Sequence, residues 1–206
     1  FGNLMDAGRL SLCGEESFGT GCDLIREKDG IWAALAWLSV LAESNRDLQS
    51  GKPIVGVAQV VRDHWEKFGR NFYCRYDYEE VSSESAGRMM QHLASQQPRL
   101  LAEKPTCNGY KLVLSDDFQY DDPVDKSVTK NQGIRFIFED GSRIIFRLSG
   151  TGSVGATIRV YFDKFEGLPE KLAVEPPVAL AELISLALKW SNIEEITGRK
   201  APTVIT

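Results

Sequence analysis

The chain has 206 residues, 43% hydrophobic, 26% charged and 10% aromatic, a balance that excludes disordered and collagen-like classes in a chain long enough to bury a sizeable core. Its 24 Lys and Arg against 29 Asp and Glu leave a formal net charge of -5, and with no basic stripe to meet a phosphate backbone it is not read as a nucleic-acid binder. No apolar run approaches the ~18 residues of a membrane span, the longest candidate being 31–42.

The chain starts at Phe1 with neither an initiator methionine nor a signal-peptide pattern, so a processed or excised segment is expected. Cys13, Cys22, Cys74 and Cys107 form no C-x-x-C pair, and His64 and His92 lie far from them. Scattered thiols of this kind read as free structural cysteines in a reducing compartment.

Arg9 to Cys13 alternates as a short strand and leads into the acidic, glycine-punctuated loop Gly14-Glu15-Glu16-Ser17-Phe18-Gly19-Thr20-Gly21. A loop at a strand end, ahead of a helix, is a usual place for function in α/β folds. Asp29 is the expected N-cap of a helix from Gly30 to about Glu43. That helix is apolar nearly all round (Ile31, Trp32, Leu35, Trp37, Leu38, Val40, Leu41), a pattern that predicts burial between layers. One strand and one helix cannot bury such faces alone, so the first ~45 residues read as the tail of an α/β domain whose other strands lie upstream.

Residues 45–56 are polar, with Gly and Pro, and read as a linker. A helix follows over 57–68, with Val57, Val60, Val61, Trp65 and Phe68 on one face, Gly69 as its stop and His64 beside that face, expected to be partly buried and hydrogen-bonded. Residues 71–81 are predicted as a long strand, 84–97 as a helix ended by Pro98, and 110–114 as a short strand. Asp116, Asp117, Asp121, Asp122 and Asp125 surround Pro123 without the Asp-x-Asp-x-Asp-Gly spacing of a calcium loop, so a solvated turn is the expectation.

Ile134, Phe136 and Phe138 alternate with Arg135 and Ile137; Asp140-Gly141 marks a hairpin turn, and Arg143 to Leu148 returns as a second strand. Ala156 to Phe162 is a third. A closing helix begins at Pro176-Pro177, carries apolar residues as far as Ile196 and stops at Gly198, placed to cover one face of the sheet. Strands in antiparallel order with helices on one face define an α+β domain.

Between the last two of these strands lies Arg147-Leu-Ser149-Gly150-Thr151-Gly152-Ser153-Val154-Gly155-Ala-Thr-Ile-Arg159. Glycines let several backbone N–H groups point into one concavity, hydroxyls add donors, and arginine brings a fork that matches phosphate oxygens. The run also satisfies G-x-G-x-x-G, but a dinucleotide fingerprint must open a helix and here a strand follows; a phosphate loop of the Gly-Lys-Ser/Thr type fails as well. The bland alternative is a glycine-rich hairpin with two ordinary surface arginines. Arg147 and Arg159 favour the anion cradle, because they flank the loop on adjacent strands, and Glu15 with Ser17 adds the carboxylate and hydroxyl that hold sugar hydroxyls. Together they point to a phosphosugar.

Gly14-Glu-Glu-Ser-Phe-Gly19 resembles the sugar-binding loop of the eukaryotic-type α-phosphoglucomutases, within the α-D-phosphohexomutase superfamily. Arg147-Leu-Ser-Gly-Thr-Gly-Ser153 through Arg159 resembles their phosphate-binding loop, and Ile25 to Trp32 and the tail Thr197 to Thr206 are similar to the same family. The resemblance implies residues 1–44 as the end of a third, α/β domain, 45–56 as linker, and 57–206 as a fourth, TATA-box-binding-protein-like domain with an antiparallel sheet and helices. It implies an isomerase that interconverts glucose 1-phosphate and glucose 6-phosphate through glucose 1,6-bisphosphate, with Mg2+ and a phosphoserine supplied by other domains. Glu15 and Ser17 would bind sugar hydroxyls, Lys28 would be a general acid/base or substrate contact, and Arg147, Ser149, Gly150, Thr151 and Arg159 would grip the phosphate that is not transferred. A monomer when whole, in the cytoplasm or a plastid, partnered by its own upstream domains, completes that expectation. Neither a Ser-His-Asn phosphoserine motif nor an Asp-Gly-Asp-x-Asp-Arg metal loop occurs in these residues, so the segment alone is expected to be inactive. Leu24 stands where some relatives carry histidine, and 44–56 is a longer linker than some have. The alternative function is a non-catalytic, phosphoglucomutase-like structural or interaction protein.

Overall fold

A computed structural model of the chain describes residues 1–15, 19–103, 106–107, 109–152 and 155–206, with the side chains of 106–107 and 150–152 outside the description. Contacts divide the described chain into two units, Phe1–Phe68 with Asp122–Ser127, and Gly69–Asp121 with Val128–Thr206.

In the first unit, α1 (Gly2–Asp6) precedes β1 (Leu12–Gly14) and β2 (Thr20–Cys22), which pair antiparallel with Cys13 opposite Gly21 and Gly14 opposite Thr20. The expected strand at 9–13 is thus observed shifted toward the loop. Then come α2 (Gly30–Ser44) and α3 (Val57–Phe68). Asp29 caps α2 as expected, its carboxylate accepting from the Trp32 N–H at 2.9 Å. The expected burial of α2 is not met: none of its residues is buried, and Ile31 is 76% and Leu38 61% exposed. Its described neighbours are the short β2 and α3, which are too small to cover a helix that is apolar on every side.

The division between units falls at Phe68/Gly69, later than the expected boundary at 56/57. The Asn45 side chain explains why α3 stays with α2: it accepts from the Val55 N–H at 2.8 Å and donates to the Val55 carbonyl at 3.0 Å, pinning the connecting segment to the end of α2. Gly69 then turns the chain at φ 81°, where a Cβ would lie 2.4 Å from the Phe165 ring. His64 is exposed rather than partly buried, its ring 4.8 Å from that of Phe68.

The second unit runs β3 (Arg70–Val81), α4 (Ser83–Glu103), β4 (Thr106–Cys107), β5 (Tyr110–Asp117), β6 (Tyr120–Asp121), β7 (Val128–Thr129), β8 (Ile134–Phe138), β9 (Arg143–Gly152), β10 (Gly155–Glu166), α5 (Pro176–Ala179), α6 (Ala181–Ser191), α7 (Ile193–Thr197) and β11 (Val204–Ile205). Seven strands form an antiparallel sheet in the order β11-β3-β10-β9-β8-β5-β4, while β6 and β7 make a separate hairpin. Alternation decides its faces. Phe136, Phe146, Ile158 and Phe162 are buried on one face, in one core with Leu93 of α4 and Leu183 and Trp190 of α6, the Trp190 ring lying 5.1 Å from that of Phe136. Arg135, Arg147, Arg159 and Tyr161 alternate onto the other. This is the α+β arrangement that the sequence implied.

Two helix expectations are corrected here. Pro98 lies inside α4 instead of ending it, and the helix continues to Glu103. An interior proline costs about 3 kcal/mol, but the following turn buries Leu100 to 3% exposure, a gain of about 1.5–3 kcal/mol. The closing helix is three pieces, not one, broken at Leu180 and at Asn192, and Asn192, left-handed at φ 48°, lets Trp190 and Ile193 both reach the core. Asp122 and Asp125 accept from the backbone N–H groups of Val124 and Ser127, so the acidic turn spends carboxylates on its own chain. None of the described helices is long and apolar enough to cross a membrane.

Candidate functional site

The β9–β10 hairpin is the element that positions the expected anion loop. Its register places Arg147 directly opposite Arg159, Ser149 opposite Thr157, and Gly152 opposite Gly155. Gly155 sits at φ 106°, with Val81 O only 3.1 Å from where a Cβ would be, so the turn back into β10 requires glycine. Gly150 and Thr151 belong to β9 by backbone, and the tip residues 153–154 lie outside the described residues. β10 begins at once after the loop, which bears out the exclusion of a dinucleotide fingerprint.

Facing residues in an antiparallel pair hold their Cβ atoms about 5 Å apart, where like charges repel. Arg147 opposite Arg159 is therefore unfavourable unless something negative lies near. On one side that charge is Asp77 of β3, which registers with Arg159 across the other edge of β10. Asp77 is buried, with Arg75 Nε at 2.8 Å and Arg159 Nε at 3.7 Å from its carboxylate. Arg159 Nε itself is buried without a hydrogen-bond acceptor. Among the described residues Arg147 has no such carboxylate. It lines a concavity of about 360 Å³ with Phe118, Arg135, Arg143 and Tyr161. Arg135 and Arg143 are already matched there: Asp116 accepts from Arg135 at 2.8 and 2.6 Å and holds its pKa up, and Asp163 accepts from Arg143 at 2.6 Å. Of the three arginines that line this concavity, Arg147 alone has no carboxylate partner among the described residues.

Sequence reading did not single out Asp77 and Arg75. The available signal was period two: Arg75 and Asp77 share a face of β3, and that face is the one Arg159 occupies.

In the first unit the structure brings Glu15 and Lys28 together. Glu15 follows β1, its N–H donating to the Gly19 carbonyl at 2.9 Å, while Lys28 arrives just ahead of the α2 cap and places Nζ 2.6 Å from the Glu15 carboxylate. The Lys28 stem crosses Gly19 so closely that a Cβ there would lie 2.4 Å from its Cδ. Ser17, the other expected sugar contact, lies outside the described residues. Cys13, Cys22 and Cys74 are free thiols, and burial pushes that of Cys74 up. Among the described residues no three His, Cys, Asp or Glu side chains converge to hold a metal.

Comparison with known proteins places these features in a family. Residues 70–203 match the family model "Phosphoglucomutase-1, C-terminal domain", and residues 1–67 match "Phosphoglucomutase/phosphomannomutase, alpha/beta/alpha domain III". The chloroplastic phosphoglucomutase of Solanum tuberosum is 58% identical over 210 residues, covering 100% of this chain and 32% of that protein. The "Phosphoglucomutase, cytoplasmic 1" of Zea mays is 54% identical, over 100% of this chain and 36% of its own length. A crystal structure of the exocytosis-sensitive phosphoprotein pp63/parafusin, a phosphoglucomutase from Paramecium in its open form, superposes with a TM-score of 0.86 at 55% identity, over 100% of this chain and 34% of that one. The chain thus spans about a third of the length of the relatives it matches. It belongs to the phosphoglucomutase family and corresponds to the C-terminal part of its members.

Proposed function

We propose that this chain supplies two grips of a phosphoglucomutase that interconverts glucose 1-phosphate and glucose 6-phosphate through glucose 1,6-bisphosphate. The single observation that carries the reading is the Arg147–Arg159 register pair at the mouth of the glycine hairpin, one arginine without a carboxylate partner among the described residues. Two guanidiniums with Ser149 and the backbone of Gly150 and Thr151 take the phosphate that is not being transferred. Such a grip reads charge and shape, so it serves either phosphate of a bisphosphate. Glu15 and Ser17 hold sugar hydroxyls, and Lys28, paired with Glu15, exchanges a proton with a hydroxyl or contacts the substrate. Residues 1–44 belong to a third domain of the whole enzyme and the sheet-bearing unit is its fourth. The phosphoserine and the Mg2+ ligands belong to parts of the enzyme outside these residues.

The test is calorimetric titration of glucose 1-phosphate into the polypeptide extended to the full length of its relatives. An arginine–phosphate contact contributes about 1.5–3 kcal/mol, so Arg159→Ala weakens binding roughly ten- to a hundredfold. Unchanged affinity overturns the phosphate role.

A further inference from the structure

We propose that Asp77 is the positioning residue for Arg159, holding its guanidinium by the Nε edge so that the end-on pair of Nη groups is left for the anion. The inference rests on the phosphate reading of the hairpin and adds to it a residue that touches no ligand. Four observations carry it. Asp77 is 4% exposed, and burying an ionised carboxylate is costly unless counter-charges and donors surround it. Its two cations come from fixed places: Arg75 lies two residues back on the same strand, and Arg159 is its register partner on β10, so strand geometry alone puts all three on one face.

The two pairings are unequal. Arg75 Nε takes a full hydrogen bond at 2.8 Å to one carboxylate oxygen, whereas Arg159 Nε stands 3.7 Å from the other, beyond hydrogen-bond reach. Arg159 Nε is also buried and without an acceptor, a donor poised for a partner it meets only loosely. Two guanidiniums and one carboxylate sum to a single positive charge. Arg75 satisfies the carboxylate, so Asp77 steers Arg159 without cancelling its charge. An anion that draws the Arg159 fork into line lets the Nε–Asp77 distance close to a hydrogen bond.

The experiment is titration of inorganic phosphate into the 206-residue chain, followed by NMR at the Arg159 Nε–H resonance and repeated for Asp77→Asn, Asp77→Glu, Arg159→Ala and the double variant Asp77→Asn/Arg159→Ala. In the parent, phosphate shifts the Nε–H signal and slows its exchange. Asp77→Asn weakens phosphate roughly three- to thirtyfold, within the range of coupling between contacting residues, and adds nothing further once Arg159 is alanine. Asp77→Glu keeps a charge for Arg75 but displaces it, and it weakens phosphate while the fold is retained, which decides the matter should the asparagine variant fail to fold. Three results overturn the proposal. In one, the Asp77 variants bind as the parent does while Arg159→Ala does not. In another, Asp77→Asn causes an equal loss in the Arg159→Ala background, the mark of a merely structural effect. If Arg159→Ala itself binds as the parent does, the phosphate reading falls and the inference with it.

Discussion

Lys28 and Glu15 meet at 2.6 Å with 57% and 38% of their side chains exposed, whereas Arg159 and Asp77 stand 3.7 Å apart with 34% and 6% exposed. Distance alone would rank the first pair as the stronger. Surroundings reverse that order. An exposed pair in water contributes about 0–1 kcal/mol, because solvent screens it and two long side chains must be ordered. Removing one partner of a buried group strands the other charge and costs about 3–5 kcal/mol. The Glu15–Lys28 pair is therefore loosely held, and under the proposed function it would exchange its mutual contact for sugar hydroxyls at little cost. Arg159 is held in place by the sheet and by the buried Asp77 beside it, so under the proposed function only a small adjustment of its fork would be needed to meet a phosphate.

The scaffolds beneath the two grips differ in the same way, and substitution separates them. Phe146 is fully buried on the inner face, next in sequence to Arg147. Phe146→Ala is expected to cost about 3–5 kcal/mol, read as a lower urea midpoint for the sheet-bearing unit. Leu35 on α2 is 57% exposed, and Leu35→Ala is expected to change stability by less than about 0.5 kcal/mol in the same denaturation experiment. Equal losses at the two sites would erase the contrast between a packed and an uncovered element.

A small, salt-dependent effect is expected at the ion pair itself. Lys28→Ala lowers stability by at most about 1 kcal/mol at low salt, and the difference disappears near 1 M salt as screening removes the attraction. Thermal melting at two ionic strengths checks this. A loss that persists at high salt would mean that Lys28 acts through the packing of its stem on Gly19 rather than through charge.

Much of the sheet was legible in the sequence because period two is a local signal. Ile134-Arg135-Phe136-Ile137-Phe138, the Asp140-Gly141 turn and the Asp29 cap all follow from residues within a few positions of one another. What the sequence did not disclose depends on partners far along the chain. Pro98 is carried inside α4 because Leu100 reaches the core, and the helix after Pro176 is broken because Trp190 and Ile193 both do. The pattern of α2 is apolar nearly all round, but burial requires something to cover it, and periodicity does not supply that. The candidate site divides along the same line. Arg147 and Arg159 announce themselves by flanking a glycine loop, while Asp77 becomes visible only when β3 is known to lie beside β10.

The central claim is that Arg147 and Arg159 form one phosphate grip, and the most direct measurement is a crystal structure of the chain with glucose 1-phosphate. The account predicts the phosphate between the two guanidiniums, accepting from both arginines and from the Ser149 hydroxyl. A phosphate bound elsewhere on the molecule, with neither arginine in contact, would contradict it.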